Sequence, residues 1–331
     1  MTEFIAIILG VLLIVPVIVV SCIPANALAW LIENKQPVVA IYHFWIKQEW
    51  LHKEKVRDFH LIPDVDSLIK SPHHRIDGEL VPVSWTEARE KLSERLSGYA
   101  DTNESGLGLG FSTELSTECV AAFMELSKDL IEVDSFAILE ETQAADPDVN
   151  IPPGFNARGC ELVFEAYSIY DEGADNLRKG LQNGDIKQLV LVGTDYVNQD
   201  SDWLSTLGDA DNVIAFASEW DDASRKADLV IPMTGYAEQD GTFVSKEKTL
   251  QRINGKLPPL GARKTPVELA TITANVLGAS DQWNLRNWQS IFLSLTQHTC
   301  VLEDIDPYSI GSEGVLLEQA FCDEDVHSHT V

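Results

Sequence analysis

Short and continuously apolar runs in the middle of this 331-residue chain constrain its fold most: Gln188 to Val192, Val213 to Phe216 and Asp228 to Pro232. A strand that is apolar at nearly every position is typical of a parallel sheet covered on both faces. Helical patterns also lie between strand-like segments. One example is Trp85 to about Gly98, which follows a capping box that begins at Ser84 and lies between Glu79 to Val83 and Gly106 to Phe111. This alternation predicts an α/β fold with a doubly wound, mainly parallel sheet.

A possible ligand crevice follows one of these strands. Gly193, Thr194 and Asp195 come directly after the run Leu189 to Val192. Open α/β sheets bind ligands outside the carboxyl ends of their strands, so these three residues are the first candidates for a site. A phosphate cradle would need more glycines and a helix N-terminus, neither of which is evident in the sequence. We therefore favour a structural turn here over a phosphate site.

The N-terminal segment from Phe4 to Ile32 is almost entirely apolar. About 20 helical residues cross the hydrocarbon core of a bilayer, so Phe4 to Ile23 predicts a single transmembrane helix. A secretory signal peptide is the alternative, although the chain begins Met1-Thr2-Glu3 and lacks the usual basic residues. The flanking positive charges begin after this segment, at Lys35. The positive-inside rule therefore predicts a single-pass protein of the inner (cytoplasmic) membrane, with its soluble body on the cytoplasmic or matrix side.

The charge and the cysteines exclude several classes of function. The formal net charge of −28 argues against nucleic acid as a partner, because phosphate binding relies on Lys and Arg. No cysteine has the spacing of a zinc or iron–sulfur site, and the wide spacing favours reduced thiols. These cysteines are Cys22, Cys119, Cys160, Cys300 and Cys322. We predict no metal ligands and no catalytic residues.

The end of the chain changes in composition. No Lys or Arg follows Arg286, whereas Asp and Glu continue almost to the C-terminus, and this predicts an acidic tail. Four domains are therefore expected. They are a transmembrane anchor at 1–35, an interfacial or connecting segment at 36–74, the α/β domain at 75–280 and the acidic tail at 281–331.

Two segments resemble a known family. The first runs from Arg75 to Ala88, and the second contains Ala227 to Pro232, Ala237 to Phe243, and then Glu247 and Gln251. Both resemble the molybdopterin oxidoreductase family, and most closely the large G subunit of respiratory complex I (NADH:quinone oxidoreductase). The resemblance covers roughly residues 75–278 and implies the α/β fold of that family, in truncated and degenerate form.

Departures from the family pattern imply that the cofactor has been lost. Ser245, Lys248 and Thr249 stand where the family has Asn, Gly and Arg near its pterin cofactor. The iron–sulfur cysteines that precede the first segment in full-length relatives have no counterpart here. The resemblance therefore implies a chain without catalytic residues or cofactor, in which only a vestigial crevice remains. Its candidate residues are Gly193, Thr194, Asp195, Gly241, Thr242 and Glu247.

The expected function follows from this resemblance. It implies a membrane-anchored, non-catalytic subunit of a complex I-type assembly that links the hydrophilic arm to the membrane, with other subunits of that respiratory oxidoreductase as its partners. Two alternatives stay open at this point. One is a molybdopterin-dependent oxidoreductase fragment completed by a partner chain, and the other is a membrane-tethered scaffold unrelated to respiration.

Overall fold

A computed structural model describes residues 65–100, 106–139, 156–235, 238–245, 247–255, 257–283 and 286–317. The chain divides into two units between Asp66 and Ser67, and the second unit contains both sheets described below. The domain boundaries predicted after residues 35, 74 and 280 stay predictions.

The membrane-spanning part of the predicted fold is not supported. Within the described ranges, no helix is both long enough and apolar enough to cross a bilayer. The predicted helix from Phe4 to Ile23 lies outside the described residues. The fold class is therefore corrected to a mixed α/β fold, and the prediction of a single-pass inner-membrane protein is withdrawn. The predicted span depended on hydropathy and its orientation on the flanking positive charges, and neither reports the surroundings of an apolar run.

The described residues contain strands in two sheets. The larger sheet has seven strands in the order β2-β1-β7-β6-β5-β3-β4, and the smaller has three in the order β10-β9-β8. The strands are β1 (His73–Ile76), β2 (Glu79–Pro82), β3 (Leu107–Ser112), β4 (Ser135–Leu139), β5 (Gln188–Val192), β6 (Asn212–Ala217), β7 (Leu229–Pro232), β8 (Gly241–Val244), β9 (Thr249–Ile253) and β10 (Val315–Leu316).

Helices connect these strands and cover the larger sheet. They are α1 (Trp85–Ala100), α2 (Thr117–Leu130), α3 (Ala157–Ala166), α4 (Ala174–Asn183), α5 (Asp195–Gln199), α6 (Ser201–Thr206), α7 (Asp222–Lys226), α8 (Pro266–Val276), α9 (Ser280–Trp283) and α10 (Trp288–Leu295). Short 3-10 helices span Leu207–Asp209 and Cys300–Leu302.

Both faces of the larger sheet are buried, as the apolar runs predict. In β5, Val190 and Val192 belong to one apolar cluster, whereas Leu189 and Leu191 belong to another. Since side chains alternate between the faces of a strand, the two clusters lie on opposite faces. Strands β7, β6, β5, β3 and β4 run parallel, while the β1–β2 hairpin adds an antiparallel edge. The predicted mainly parallel α/β sheet is therefore present.

The chain from residue 286 to 317 packs with the sheet domain. Ile291, Phe292 and Leu295 of α10 are fully buried in the same apolar cluster as the residues of α2. Further along, β10 pairs with β9 in the smaller sheet. The described part of the segment predicted as an acidic tail is thus folded, and residues 318–331 lie outside the described ranges.

The strand order identifies the switch point of the larger sheet. From β3 the chain continues to β4 on one side, and from β5 it continues to β6 and β7 on the other side. Strands β3 and β5 are neighbours, and the connections that follow them lead to opposite sides of the sheet. The switch point therefore lies between β3 and β5. Ligands of doubly wound folds bind at such a point, at the carboxyl ends of the strands.

Candidate functional site

The switch point is closed by contacts within the chain. Ser112 is the last residue of β3, and Gly193 directly follows β5. Gly193 has a φ of +86°, and a Cβ atom there would overlap the side chain of Ser112. The Ser112 hydroxyl donates a hydrogen bond to Oδ2 of Asp195, at the start of α5. A hydrogen bond therefore spans the place where a ligand of such a sheet would lie.

Neighbouring carboxylates are also held by hydroxyl groups. Thr194 Oγ1 donates to Oδ2 of Asp221 at 2.7 Å. Asp221 also caps α7, because its Oδ1 accepts from the backbone N–H of Ser224 at 2.6 Å. Ser67 Oγ donates to Oε2 of Glu219 at 3.0 Å. The hydroxyl groups of Ser112, Thr194 and Ser67 thus donate their hydrogen bonds to carboxylates of the same chain.

Burial and neighbouring negative charges raise the pKa of several carboxyl groups at this edge of the sheet. Burial raises the pKa of Asp195, and the nearby Asp221 acts in the same direction. Burial likewise raises the pKa of Glu219, again with contributions from Asp221 and Asp195. Desolvation and the Asp195 and Glu219 charges raise the pKa of Glu114, although the Glu114 side chain still reaches solvent. We call Ser112, Gly193, Thr194, Asp195, Glu219 and Asp221, together with Glu114, the acidic crevice.

A second polar group holds the smaller sheet. The Glu118 side chain in α2 is fully buried, and both its oxygens accept hydrogen bonds from Thr242. Oε2 accepts from the Thr242 backbone N–H at 2.8 Å, and Oε1 accepts from its hydroxyl at 2.8 Å. Burial raises the pKa of Glu118 to about 7. A Cβ atom at Gly241 would lie 2.8 Å from Glu118 Oε2, so a glycine is needed for this approach.

Asn156 and Thr117 complete this group. The Asn156 side chain is fully buried; its Oδ1 accepts from the backbone N–H of Val244 at 2.7 Å, and its Nδ2 donates to the Leu115 carbonyl at 2.8 Å. Thr117 Oγ1 donates to the Thr242 carbonyl at 3.0 Å. Side chains from the helical layer therefore satisfy backbone groups on the open edge of β8, which otherwise would lose hydrogen bonds on burial. We call Thr117, Glu118, Asn156, Thr242 and Val244 the β8 network.

A buried ion pair stands at the entry to β8. Arg263 Nη1 lies 2.6 Å from Glu238 Oε2, and both side chains are almost completely buried. Burial raises the pKa of Glu238, and the Arg263 charge opposes that rise. Arg263 Nε also donates to the Met233 carbonyl at 2.9 Å. This pair ties the end of β7 to the segment that leads into β8.

The six residues predicted for a crevice fall into separate places. Gly193, Thr194 and Asp195 lie together at the switch point. Gly241 and Thr242 instead belong to buried strand β8, and Thr242 is part of the β8 network. Glu247 is exposed in the turn between β8 and β9. Their roles as a ligand site stay predictions.

Sequence reasoning did not identify several residues of these two groups. Ser112, Glu118 and Arg263 stand alone in the sequence among apolar or unrelated residues, and no local spacing connects them with their partners. Glu118 is the one with a usable signal, because it directly precedes the apolar run Cys119 to Met124, and a carboxylate on a buried helix needs a partner. Lys248, where the family has Gly, adopts a φ of +61°.

Metal and thiol chemistry can also be examined in the described residues. Within them, no group of three or more His, Cys, Asp and Glu side chains is arranged to hold a metal ion. Cys119 and Cys160 are both completely buried. Cys300 is disulfide-bonded, which corrects the expectation of a reduced thiol at this position.

Comparisons with known proteins agree with part of the resemblance. Residues 162–270 match the family model described as molybdopterin oxidoreductase. The chain is 35% identical over 126 residues to a Staphylococcus haemolyticus protein named "Putative formate dehydrogenase", a match that covers 35% of this chain and 12% of that protein. A Bacillus subtilis protein with the same name is 34% identical over 139 residues, covering 39% of this chain and 14% of that protein.

One solved structure was also similar. Acetylene hydratase from Pelobacter acetylenicus gave a TM-score of 0.33 at 13% identity, covering 70% of this chain and 28% of that one. That score is too low to decide the fold. The sequence matches support the molybdopterin oxidoreductase family for the matched part of the chain, and they do not single out the large subunit of complex I. The chain matches only a small share of the length of these relatives.

The residues at the switch point do not fit the cofactor that this family implies. A molybdopterin cofactor carries phosphate, which needs N–H, hydroxyl, Lys or Arg donors. Of the described residues there, the hydroxyls of Ser112 and Thr194 already donate to Asp195 and Asp221. Arg263 is buried against Glu238. The acidic crevice would therefore place carboxylates next to phosphate, which is unfavourable for both.

Proposed function

We propose that this chain is a non-catalytic module built on part of the molybdopterin oxidoreductase fold, and that it serves as a structural subunit of a multi-subunit oxidoreductase. The closed switch point carries the proposal. The hydrogen bond from Ser112 to Asp195 fills the place of a ligand, and the surrounding carboxylates repel phosphate. A fold that has closed its ligand site in this way retains its surfaces for protein contacts.

The proposal also includes the type of oxidoreductase to which the subunit belongs. The segments Arg75 to Ala88 and Ala227 to Gln251 resemble the large subunit of complex I, and this makes a complex I-type NADH:quinone oxidoreductase the first assembly to test. The matched relatives are named formate dehydrogenases, so an assembly of that class is the second.

Metal and pterin analysis of the purified full chain tests the loss of the cofactor. We expect no stoichiometric molybdenum or tungsten by mass spectrometry, and no pterin fluorescence after oxidative release. We also expect co-purification with oxidoreductase subunits from the native host in mild detergent. Purification as a solitary monomer under those conditions would argue against the structural-subunit role.

The second candidate function is a molybdopterin-dependent enzyme fragment completed by a partner chain. The match of residues 162–270 to the family model favours it. Stoichiometric molybdenum or tungsten that remains with this chain, or with its complex, would support this candidate and defeat the non-catalytic proposal. The same preparation thus decides between the two.

A further inference from the structure

An open apolar groove lies where α2 leads into β4. It has a volume of about 420 Å³ and is lined by the half-buried side chains of Leu130, Ile131, Val133, Phe136 and Ile169. These five side chains pack against the main apolar cluster from its outer side. The volume lies within the range of pockets that bind ligands or anchoring side chains. We call this feature the α2–β4 groove.

The groove is far from the switch point. Helix α2 starts after the carboxyl end of β3 and ends just before the amino end of β4, which runs parallel to β3. The groove therefore lies at the amino-end edge of the larger sheet, opposite the acidic crevice. Its occupation does not depend on whether the crevice binds anything.

The rim of the groove carries more negative than positive charge. Lys128 is its cation, but the Lys128 ammonium donates to the Tyr167 carbonyl at 3.1 Å and lies 5.6 Å from the centre of the Tyr167 ring. Asp129 and Glu132 are exposed, and within the described residues no hydrogen bond or ion pair involves their side chains. An occupant of the groove therefore meets two available carboxylates and a cation that is already engaged.

An exposed aromatic residue directly follows the groove residue Ile169 in the chain. Tyr170, the neighbour of Ile169, is 81% exposed and is the most exposed of the large apolar side chains in the described residues. Aromatic residues at the edge of an apolar depression are typical anchors of protein interfaces. Apolar lining, an aromatic side chain and a charged rim together form the usual composition of a docking surface.

The net charge of the chain selects the kind of occupant. Two copies of a chain with a formal charge of −28 repel one another, which disfavours a second copy of the same chain. A partner that presents Lys or Arg beside its apolar anchor complements the rim instead.

We propose that the α2–β4 groove docks a segment of a partner protein in which a large apolar side chain is flanked by Lys or Arg. The proposal rests on the proposed function, since a structural subunit needs such a contact. The apolar anchor enters the groove between Ile131 and Phe136, while its basic neighbours lie opposite Asp129 and Glu132.

A labelled synthetic peptide tests the proposal with the full chain. The peptide has Leu and Phe interspersed with Lys and Arg, and its binding is followed by fluorescence anisotropy at physiological ionic strength. Two control peptides replace either Lys and Arg by Glu, or Leu and Phe by Ser. We expect the first peptide alone to bind, and the double variant Asp129→Lys/Glu132→Lys to raise its Kd by about tenfold.

A matched variant distinguishes the effect of charge at the groove from the effect of the net charge of the chain. Glu79 lies in β2, at the opposite side of the larger sheet from β4, and both Glu79 and Glu313 are exposed. The double variant Glu79→Lys/Glu313→Lys therefore changes the net charge by the same amount away from the groove. We expect this control to bind like the unchanged chain. Tyr170→Ser, which alters an exposed side chain only, should weaken binding about fivefold.

Three outcomes would overturn the proposal. They are an absence of binding by the basic apolar peptide, equal weakening by both double variants, and a dimer in sedimentation that Tyr170→Ser dissociates. Equal weakening would mean that general acidity attracts the peptide, and the dimer would mean that a second copy fills the groove. None of these outcomes changes the molybdenum content, so the proposed function and this proposal can fail separately.

Discussion

The acidic crevice and the β8 network both contain carboxylates with a raised pKa, yet they are built differently. In the β8 network both oxygens of Glu118 accept hydrogen bonds from Thr242, and burial is the largest cause of its raised pKa. In the acidic crevice the Asp221 charge raises the pKa of Asp195 and of Glu219. Asp195 accepts hydrogen bonds from the Ser112 hydroxyl and from backbone N–H groups, and Glu219 accepts one from the Ser67 hydroxyl. A buried carboxylate with full partners holds a fold together, whereas a cluster of carboxylates repels anions.

The residues that match the family pattern are mostly ones that make contacts within the domain. The segment Ala237 to Phe243 provides Glu238, Gly241 and Thr242, and all three are engaged in contacts within the domain. Lys248, which stands where the family pattern has Gly, has an exposed side chain instead. The resemblance therefore follows the packing of the domain rather than its ligand chemistry.

The largest expected effect comes from the ion pair beside β8. Glu238→Leu leaves the Arg263 charge buried without its partner, and breaking such a pair typically costs about 3–5 kcal/mol. We expect a loss of this size in the free energy of unfolding, measured with urea. The double variant Glu238→Leu/Arg263→Leu removes both charges and should recover much of the loss. A double variant that is less stable than Glu238→Leu would show that packing rather than charge dominates here.

The next effect is a pH dependence in the β8 network. The folded-state pKa of Glu118, about 7, is above its ordinary value of 4.5. The folded chain therefore binds this proton more tightly, and the associated stability is fully present below pH 4.5 and lost as the pH rises to about 7. The size of this contribution is on the order of 3 kcal/mol.

Glu118→Gln tests that sign. Its amide can still accept from the Thr242 N–H and donate to the Thr242 hydroxyl, but it carries no charge at any pH. We expect the variant to be more stable than the unchanged chain at pH 8, and the advantage to vanish towards pH 4.5. Since other carboxyl groups also titrate, the difference between the two chains is the quantity to follow. A difference that is the same at both pH values would contradict the raised pKa of Glu118.

How much the sequence predicts can be judged from these same residues. The apolar run Leu189 to Val192 predicted a central parallel strand correctly, because burial on both faces leaves a continuous local pattern. The pairing of Glu118 with Thr242 joins residues 124 positions apart, and such a contact depends on how α2 packs against β8. Local patterns carry no record of that packing. The predicted membrane helix illustrates the same limit. An apolar run is a local pattern, and it does not by itself identify the environment of the segment.

A smaller effect is expected at Gly193, where a substitution tests whether the glycine is required for packing against Ser112. Gly193→Ala puts a Cβ atom at a φ of +86° and against Ser112, and we expect a loss of about 2 kcal/mol or more in the free energy of unfolding. Gly184 is the matched control, because its φ is +77° but a Cβ atom there would meet nothing within 4 Å. Gly184→Ala should cost about 1 kcal/mol. Equal losses at the two positions would mean that Gly193 is not packed against Ser112.

The smallest effect lies within the acidic crevice itself. Asp195→Asn removes one of the charges that raise the pKa of Glu114, while the amide oxygen can still accept from the Ser112 hydroxyl. We expect the pKa of Glu114 to fall towards its ordinary value in a carbon-13 NMR titration, with a gain in stability at pH 8 of less than about 1 kcal/mol. Asp211→Asn, at an exposed position, is the control and should leave Glu114 unchanged. An unchanged Glu114 in Asp195→Asn would mean that these carboxylates titrate independently. In that case the crevice would repel anions less than its composition implies, and the contrast with the β8 network would rest on hydrogen bonding alone.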